Sequence, residues 1–289
     1  MRILASILID GVAYGMILFM ISVGLSVTMG LMRVVNLAHG AFAMVGGFAA
    51  HWLTMRMGVP FEIALVAGVA LAVLVAWPLD VFFYRRIYKL GDLEQVLLTI
   101  GLVFIAIATA TLLFGTEVRP IRLPSYLTGA VDIGVRVLPV HRLFVIGAGL
   151  IVALALWALV TRSRFGIDLR AAVDNERAAA ALGIDTSRIY SIAFLLGAGL
   201  AALGGIVGAE LMPMEANYAL RYLVIVLLVV AVGGMGSIAG ALAASLALGI
   251  IDTAGRYFVP DFGAIWFYAI IMAVLALRPN GLLGLRTSG

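Results

Sequence analysis

The chain has no cysteine and only three histidines, His39, His51 and His141. Disulfides, thiol nucleophiles and cysteine metal sites are excluded, and three separated imidazoles give a metal ion little to bind. Charge is scarce as well: Asp, Glu, Lys and Arg make up 12% of the 289 residues, where a soluble domain carries roughly 25%. Lys89 is the single lysine among 19 basic residues. The arginines fall in short clusters, so the net charge of +4 reads as the flanks of membrane helices and not as a nucleic-acid surface.

Carboxylates are missing from the centres of the apolar runs. Asp80, Glu210 and Asp252 stand at run ends, and Asp10 alone lies inside one, as an interfacial or capping group or as something more. That distribution speaks against ion-coupled transport, which needs a buried acid, an acid pair or exposed carbonyls on a broken helix. Serines are no better placed for catalysis. No glycine-flanked Ser stands near a His, and Ser26, Ser191 and Ser245 read as helix-packing hydroxyls. The expectation is no enzymatic activity, no catalytic residue, no cofactor and no metal.

What the chain has in excess is apolar sequence, 64% of its residues. Apolar runs lie at about 3–31, 40–57, 61–84, 93–114, 143–161, 189–211, 222–235, 238–254 and 262–277. Most reach the roughly 20 residues that cross a bilayer as a helix. Stretches such as 63–76 and 143–160 are apolar on every face, which excludes a transmembrane barrel with its alternating pattern. The predicted fold is all-α: a polytopic transmembrane helical bundle of eight to nine membrane elements, one domain over 1–289. The run after Met1-Arg2 exceeds the core of a cleaved signal and is expected to stay as the first helix. Gly11/Gly15, Gly204/Gly208 and Gly236/Gly240 repeat a spacing of four that favours a tightly packed bundle, or an oligomer, over a loose set of anchors.

The seventh and eighth runs are short and joined by Gly233-Gly234-Met235-Gly236-Ser237. They read as two brief spans, a re-entrant pair of half-helices or one long bent element. The glycine string lacks the lysine of a phosphate loop; it is either a broken element beside the translocation path or a tight turn. Two connectors are long. Segment 115–142, with Pro120, Pro124 and Pro139, has the composition of an irregular surface loop. In segment 162–188, Asp174-Asn175-Glu176-Arg177 precedes Ala178-Ala179-Ala180-Ala181-Leu182-Gly183, a capping signal, good helix formers and a glycine stop. It predicts a short amphipathic helix at the membrane surface, docked on a soluble partner or held by membrane lipid.

Placing Arg85, Arg86 and Lys89 in the cytoplasm puts eleven of the nineteen basic residues inside if nine elements alternate, including Arg33, Arg278 and Arg286. Segment 162–188 is then cytoplasmic and 115–142 periplasmic. Finally, Met32-Arg33-Val34-Val35-Asn36-Leu37-Ala38-His39-Gly40 interrupts two apolar runs. On a helix Asn36 and His39 would share a face, as part of a pathway or as a polar turn.

These segments resemble the permease subunits of branched-chain amino acid ABC transporters, the LivH/LivM type, and the LivH type most. The resemblance covers nearly the whole chain. It rests on residues 30–42; on Thr99-Ile100-Gly101-Leu102; on Arg164-Phe165-Gly166 with Arg170-Ala171 and 174–184; on the small residues of 197–208; on 232–241; and on Arg278-Pro279-Asn280-Gly281-Leu282-Leu283-Gly284. It implies a multi-pass subunit of a bacterial inner-membrane importer for branched-chain or related amino acids, with amides, urea or aromatic acids as alternative solutes. A stand-alone secondary transporter or channel is the remaining alternative. The implied partners are a second homologous permease, two cytoplasmic ATPases and an extracytoplasmic solute-binding protein. Asp174, Asn175, Glu176, Arg177, Ala178, Ala179, Leu182, Gly183 and Ile184 then match the helix that couples to an ATPase, within a cytoplasmic segment 162–188. Ala178-Ala179 and Gly183 keep the family's Glu-Ala-Ala-three-Gly spacing, but Glu176 stands one residue early and Arg177 takes its place. From the polar break and the glycine string, Asn36, His39, Gly233, Gly234, Gly236 and Ser237 are the candidate translocation-path residues.

Overall fold

The computed structural model describes residues 2–32, 36–87, 90–132, 134 and 137–277. Arg33, Lys89, Arg278, Arg286 and the 278–284 motif lie outside the described residues. Helix α1 (Arg2–Met32) leads to α2 (His39–His51), which continues as a π-helix over Trp52–Arg56. Next come α3 (Phe61–Leu79), a π-helical turn Asp80–Tyr84, α4 (Arg85–Ile87) and α5 (Asp92–Phe114). The long connector holds α6 (Ser125–Thr128) and the strands β1 (Ala130–Asp132) and β2 (Val137–Pro139) before α7 (Val140–Arg162). Then follow α8 (Arg164–Asp174), α9 (Glu176–Ala181), α10 (Thr186–Val207), α11 (Tyr218–Arg221), α12 (Leu223–Gly233), α13 (Ile238–Phe258) and α14 (Gly263–Leu277).

Among the described residues six helices are long and apolar enough to cross a membrane, with shorter apolar helices at Tyr218–Gly233 and Ile265–Leu277. With α2, these account for all nine apolar runs. Helix α12 continues α11, Tyr222 N donating to Tyr218 O and Val226 N to Tyr222 O, and the apolar helix Tyr218–Gly233 rises about 24 Å, short of a hydrocarbon core of roughly 30 Å. Helix α13 is full length and folds back on α12, since a Cβ on Gly233 would meet the Gly240 carbonyl carbon at 2.7 Å. The bent-element alternative is thereby excluded. Segment 115–142 is more ordered than its composition suggested. Pro124 and Pro139 stand immediately before α6 and α7, and β1 pairs antiparallel with β2 from Ala130↔Pro139 to Asp132↔Val137.

Residues 13–26 of α1 are buried without interruption, as expected of a helix apolar on all sides and placed at the centre of a bundle. Lipid offers no hydrophobic drive between helices, so contact depends on close approach of backbones. A Cβ on Gly15 would meet Ser245 O of α13 at 2.7 Å and Leu246 Cα at 2.9 Å, and one on Gly11 would meet Ile250 Cα at 2.7 Å. On another face of α1, Gly24 lies against Gly197 of α10. Helix α10 passes the packing on to α2 through Gly205, whose Cβ would meet Ala43 O at 2.5 Å, and α2 to α3 through Gly46 and Gly68. Peripheral helices carry exposed apolar side chains instead, Leu112 on α5 and Ile151 on α7 among them.

Polar contacts sort the helix ends into two sets. At one end Arg142 Nε lies 3.6 Å from Asp10 Oδ1, Tyr257 donates to Asp10 at 3.3 Å, His141 Nδ1 lies 3.0 Å from Glu210 Oε2, and His51 pairs with Pro120 O at 2.6 Å. The other end gathers the close of α1 and α3, the start of α10, the α12–α13 turn and the pair α8 and α9. Asp10 thus joins α1, α7 and α13 as an interfacial group.

The packing predicts that Gly15→Leu, which must part α1 from α13, costs about 1–3 kcal/mol of stability. Gly147→Leu serves as the control, because Gly147 of α7 faces open space. Thermal unfolding of the detergent-solubilised chain should show a lowered midpoint for the first variant and an unchanged one for the second.

Candidate functional site

The surface helix expected around 174–184 is α9, and a second helix, α8, precedes it. Ser163 caps α8, accepting from Gly166 N at 3.1 Å, and Asp174 is its last residue, so Asp174 does not open α9. Asn175 does: its Oδ1 accepts from Ala178 N at 3.0 Å, satisfying one of the free donors of the first turn. At the far end Ile184 N donates to Ala179 O at 3.1 Å and Gly183 N to Ala180 O at 3.0 Å. This pair of bonds is a Schellman motif, which needs a left-handed residue after the cap, and Gly183 supplies it at φ +86°.

Helix α9 lies on α8 through buried Ala179, while residues 174–178 and 180–183 are exposed. Leu182 at the tip is 82% exposed. Glu176 turns back towards the chain, 3.5 Å from the Thr186 hydroxyl, and Arg177 points outward. The base is anchored in the bundle: Leu169 of α8 and Ile189 and Ala193 of α10 form a buried cluster with Phe165, Ile184 and Val27 of α1. The result is a self-capped projection with a rigid root and an apolar tip.

Asn36 and His39 do not share a helical face, because Asn36 precedes α2 and His39 is its first residue. Both are buried. His39 Nε2–H donates to Ile21 O of α1 at 2.8 Å, and Asn36 Oδ1 accepts from Tyr84 at 2.7 Å. Asn36 Nδ2 has no partner among the described residues. The glycine turn meets α1 slightly farther along. Gly236 N donates to Ser26 O at 3.0 Å, Ser237 caps α13 by accepting from Gly240 N at 2.9 Å, and Gly234 and Gly236 adopt φ of +90° and +82°. Gly233 and Gly234 are buried, Gly236 and Ser237 half-buried. Helix α1 therefore brings the two turns together by accepting a hydrogen bond from each.

An apolar groove of about 690 Å³ lies between α2, α3 and α5, lined by Phe42, Phe48, Leu71, Val75, Leu102 and Ile105 among others. It takes in Ala38 and Ala41 but not His39. Sequence reasoning missed the polar group beside Asn36. Asp80 is fully buried and accepts from Ser191 at 2.5 Å, so Ser191 is a cross-helix donor and not only a packing hydroxyl. Ser245 does bond its own helix, at Leu242 O. The one sequence signal for this group was Pro78, a helix-interior proline just before the π-turn that turns Asp80 and Tyr84 inward.

A family described as branched-chain amino acid transport system, permease component, matches residues 7–277. The chain is similar to the high-affinity branched-chain amino acid transport system permease protein LivH of Escherichia coli strain K12, 27% identical over 95% of this chain and 94% of that one. LivH of Salmonella typhimurium is 26% identical over 95% and 94%, and BraD of Pseudomonas aeruginosa, a permease protein for the same solutes, 26% over 96% and 94%. No solved structure matches.

The two caps of α9 predict a local effect of substitution. Asn175→Ala removes about 1 kcal/mol of capping, and Gly183→Val forces a β-branched residue into a left-handed conformation. Hydrogen–deuterium exchange should speed up across 176–184 in both variants, with α10 unchanged beyond its first turn.

Proposed function

This chain belongs to the branched-chain amino acid transport permease family, and from that premise we propose that it is one membrane subunit of an ATP-driven importer for branched-chain or related amino acids. It pairs with a second permease across the bilayer of the bacterial inner membrane, receives solute from an extracytoplasmic binding protein, and docks two cytoplasmic ATPases.

The observation that carries this reading is the projection formed by α8 and α9. Its tip exposes Leu182 and Arg177, while its root is packed against α1 and α10. A helix capped at both ends by its own residues needs no partner in order to fold, and it offers a soluble protein a preformed knob. Arg177, not Glu176, is the outward charge. The end bearing α8 and α9 is then cytoplasmic, in line with the excess of arginine there.

Transport follows by alternating access. Closure of the ATPases acts on the projection through contacts that differ between the two states, and that difference in free energy shifts the bundle. The turns holding Asn36 and His39, and Gly233, Gly234, Gly236 and Ser237, border the path. Hydrogen bonds to α1 carbonyls, from the His39 side chain to Ile21 O and from Gly236 N to Ser26 O, hold each turn, so they reshape as units when the helices beside α1 move. The path carries the solute without holding it tightly, affinity residing in the binding protein.

Native mass spectrometry of the complex drawn from its own membranes through a tag on this chain tests the proposal. Two ATPase subunits and a second permease are expected with it. A chain that comes out alone or as a homo-oligomer, while control complexes survive, would overturn the reading in favour of a secondary transporter or channel.

A further inference from the structure

Asp80 is a fully buried carboxylate at the end of a membrane-length helix, where an ionised side chain costs several kcal/mol unless it is paired. It is paired twice over. Ser191 of α10 donates to its Oδ2 at 2.5 Å, Arg85 Nε lies 3.3 Å from the same oxygen, and Arg85 also donates to Ser191 Oγ at 3.0 Å. The three side chains close a triangle between α3 and α10.

Stability alone does not require such a triangle, since well-packed apolar residues commonly replace buried ion pairs at no loss. Its position gives it another use. Ser191 lies in the second turn of α10, between Ile189 and Ala193, which pack on Leu169 and Phe165 at the root of the projection. Four residues beyond Asp80, on the same π-turn, Tyr84 packs its ring 4.4 Å from that of Phe194 of α10 and donates to Asn36 ahead of α2. One short π-helical turn therefore holds α10 on one side and the α1–α2 turn on the other.

We propose that Asp80 and Ser191 are positioning residues that lock the π-turn of α3 to the start of α10, so that displacement of the α8–α9 projection is carried as one body to the turn holding Asn36. This rests on the importer reading. It adds a route through residues separated by 111 positions in sequence, and it assigns the buried acid a mechanical role instead of a part in proton transfer.

The chain contains no cysteine, so paired spin labels are readily placed on exposed Phe82 of the π-turn and exposed Ile167 of α8 as Phe82→Cys and Ile167→Cys. Their separation would be measured by electron–electron double resonance in the assembled complex in lipid nanodiscs, nucleotide-free and trapped with ATP and vanadate, and compared at equal trapped nucleotide. With the native triangle, the distance should stay the same on trapping. In Ser191→Ala it should shift by about 2 Å or more, the scale of helix movements at switching interfaces; Ser191→Thr, which keeps the hydroxyl, should restore the native behaviour. Asp80→Ala provides a second cut through the same link. A native distance that shifts as far as that of Ser191→Ala, or a Ser191→Ala distance as constant as the native one, would overturn the proposal. If the native assembly traps no nucleotide at all, the importer reading falls, and the link with it.

Discussion

Everything in this bundle depends on how closely α1 is approached by its neighbours. Hydrocarbon solvates a leucine as well as another helix does, so association in the membrane rests on dispersion between surfaces that fit. Here the fit is made by removing side chains. Gly11 and Gly15 admit the backbone of α13, and Gly24 meets Gly197 of α10. A helix enclosed in this way, with α7 and α12 also packed against it, becomes the reference against which other parts are placed. Its own carbonyls serve that purpose directly: Ile21 O receives His39 and Ser26 O receives Gly236.

The periphery obeys the opposite rule. Helices α5 and α7 turn large apolar side chains outward, which suits lipid or a second membrane subunit, and the helix Tyr218–Gly233 is shorter than a full span. A short span is tolerable only where its end is covered by protein or water. The glycine turn meets that condition, because Gly236 is bonded to α1 and Gly233 lies against Gly240. Close backbone contact is thus concentrated around α1, α10 and α13, and the α8–α9 projection is rooted against α1 and α10 and not in the periphery.

The membrane elements were legible in the sequence because apolar length is itself the signal. The run at 93–114 became Asp92–Phe114, and the run at 143–161 became Val140–Arg162. The Gly183 stop was legible for a similar reason: a left-handed position has few alternatives to glycine. Helix α8 was not, since Arg164, Asp168 and Arg170 made its stretch look like a charged connector. Asn36 and His39 were misplaced relative to each other because the helix begins at His39, and no local residue announces that start. The contact of Asp80 with Ser191 lies beyond any periodic pattern. Two residues in different helices became partners only because a π-turn after Pro78 brought the carboxylate inward.

The central claim is that the end bearing α8 and α9 faces the cytoplasm and receives an ATPase. A photo-activatable amino acid placed at Leu182, and separately at exposed Met57 at the opposite end of the bundle, tests it in intact cells. Irradiation should join Leu182 to an ATPase subunit and leave Met57 without one. An ATPase captured at Met57, or none at Leu182 in cells where the complex is assembled, would contradict it.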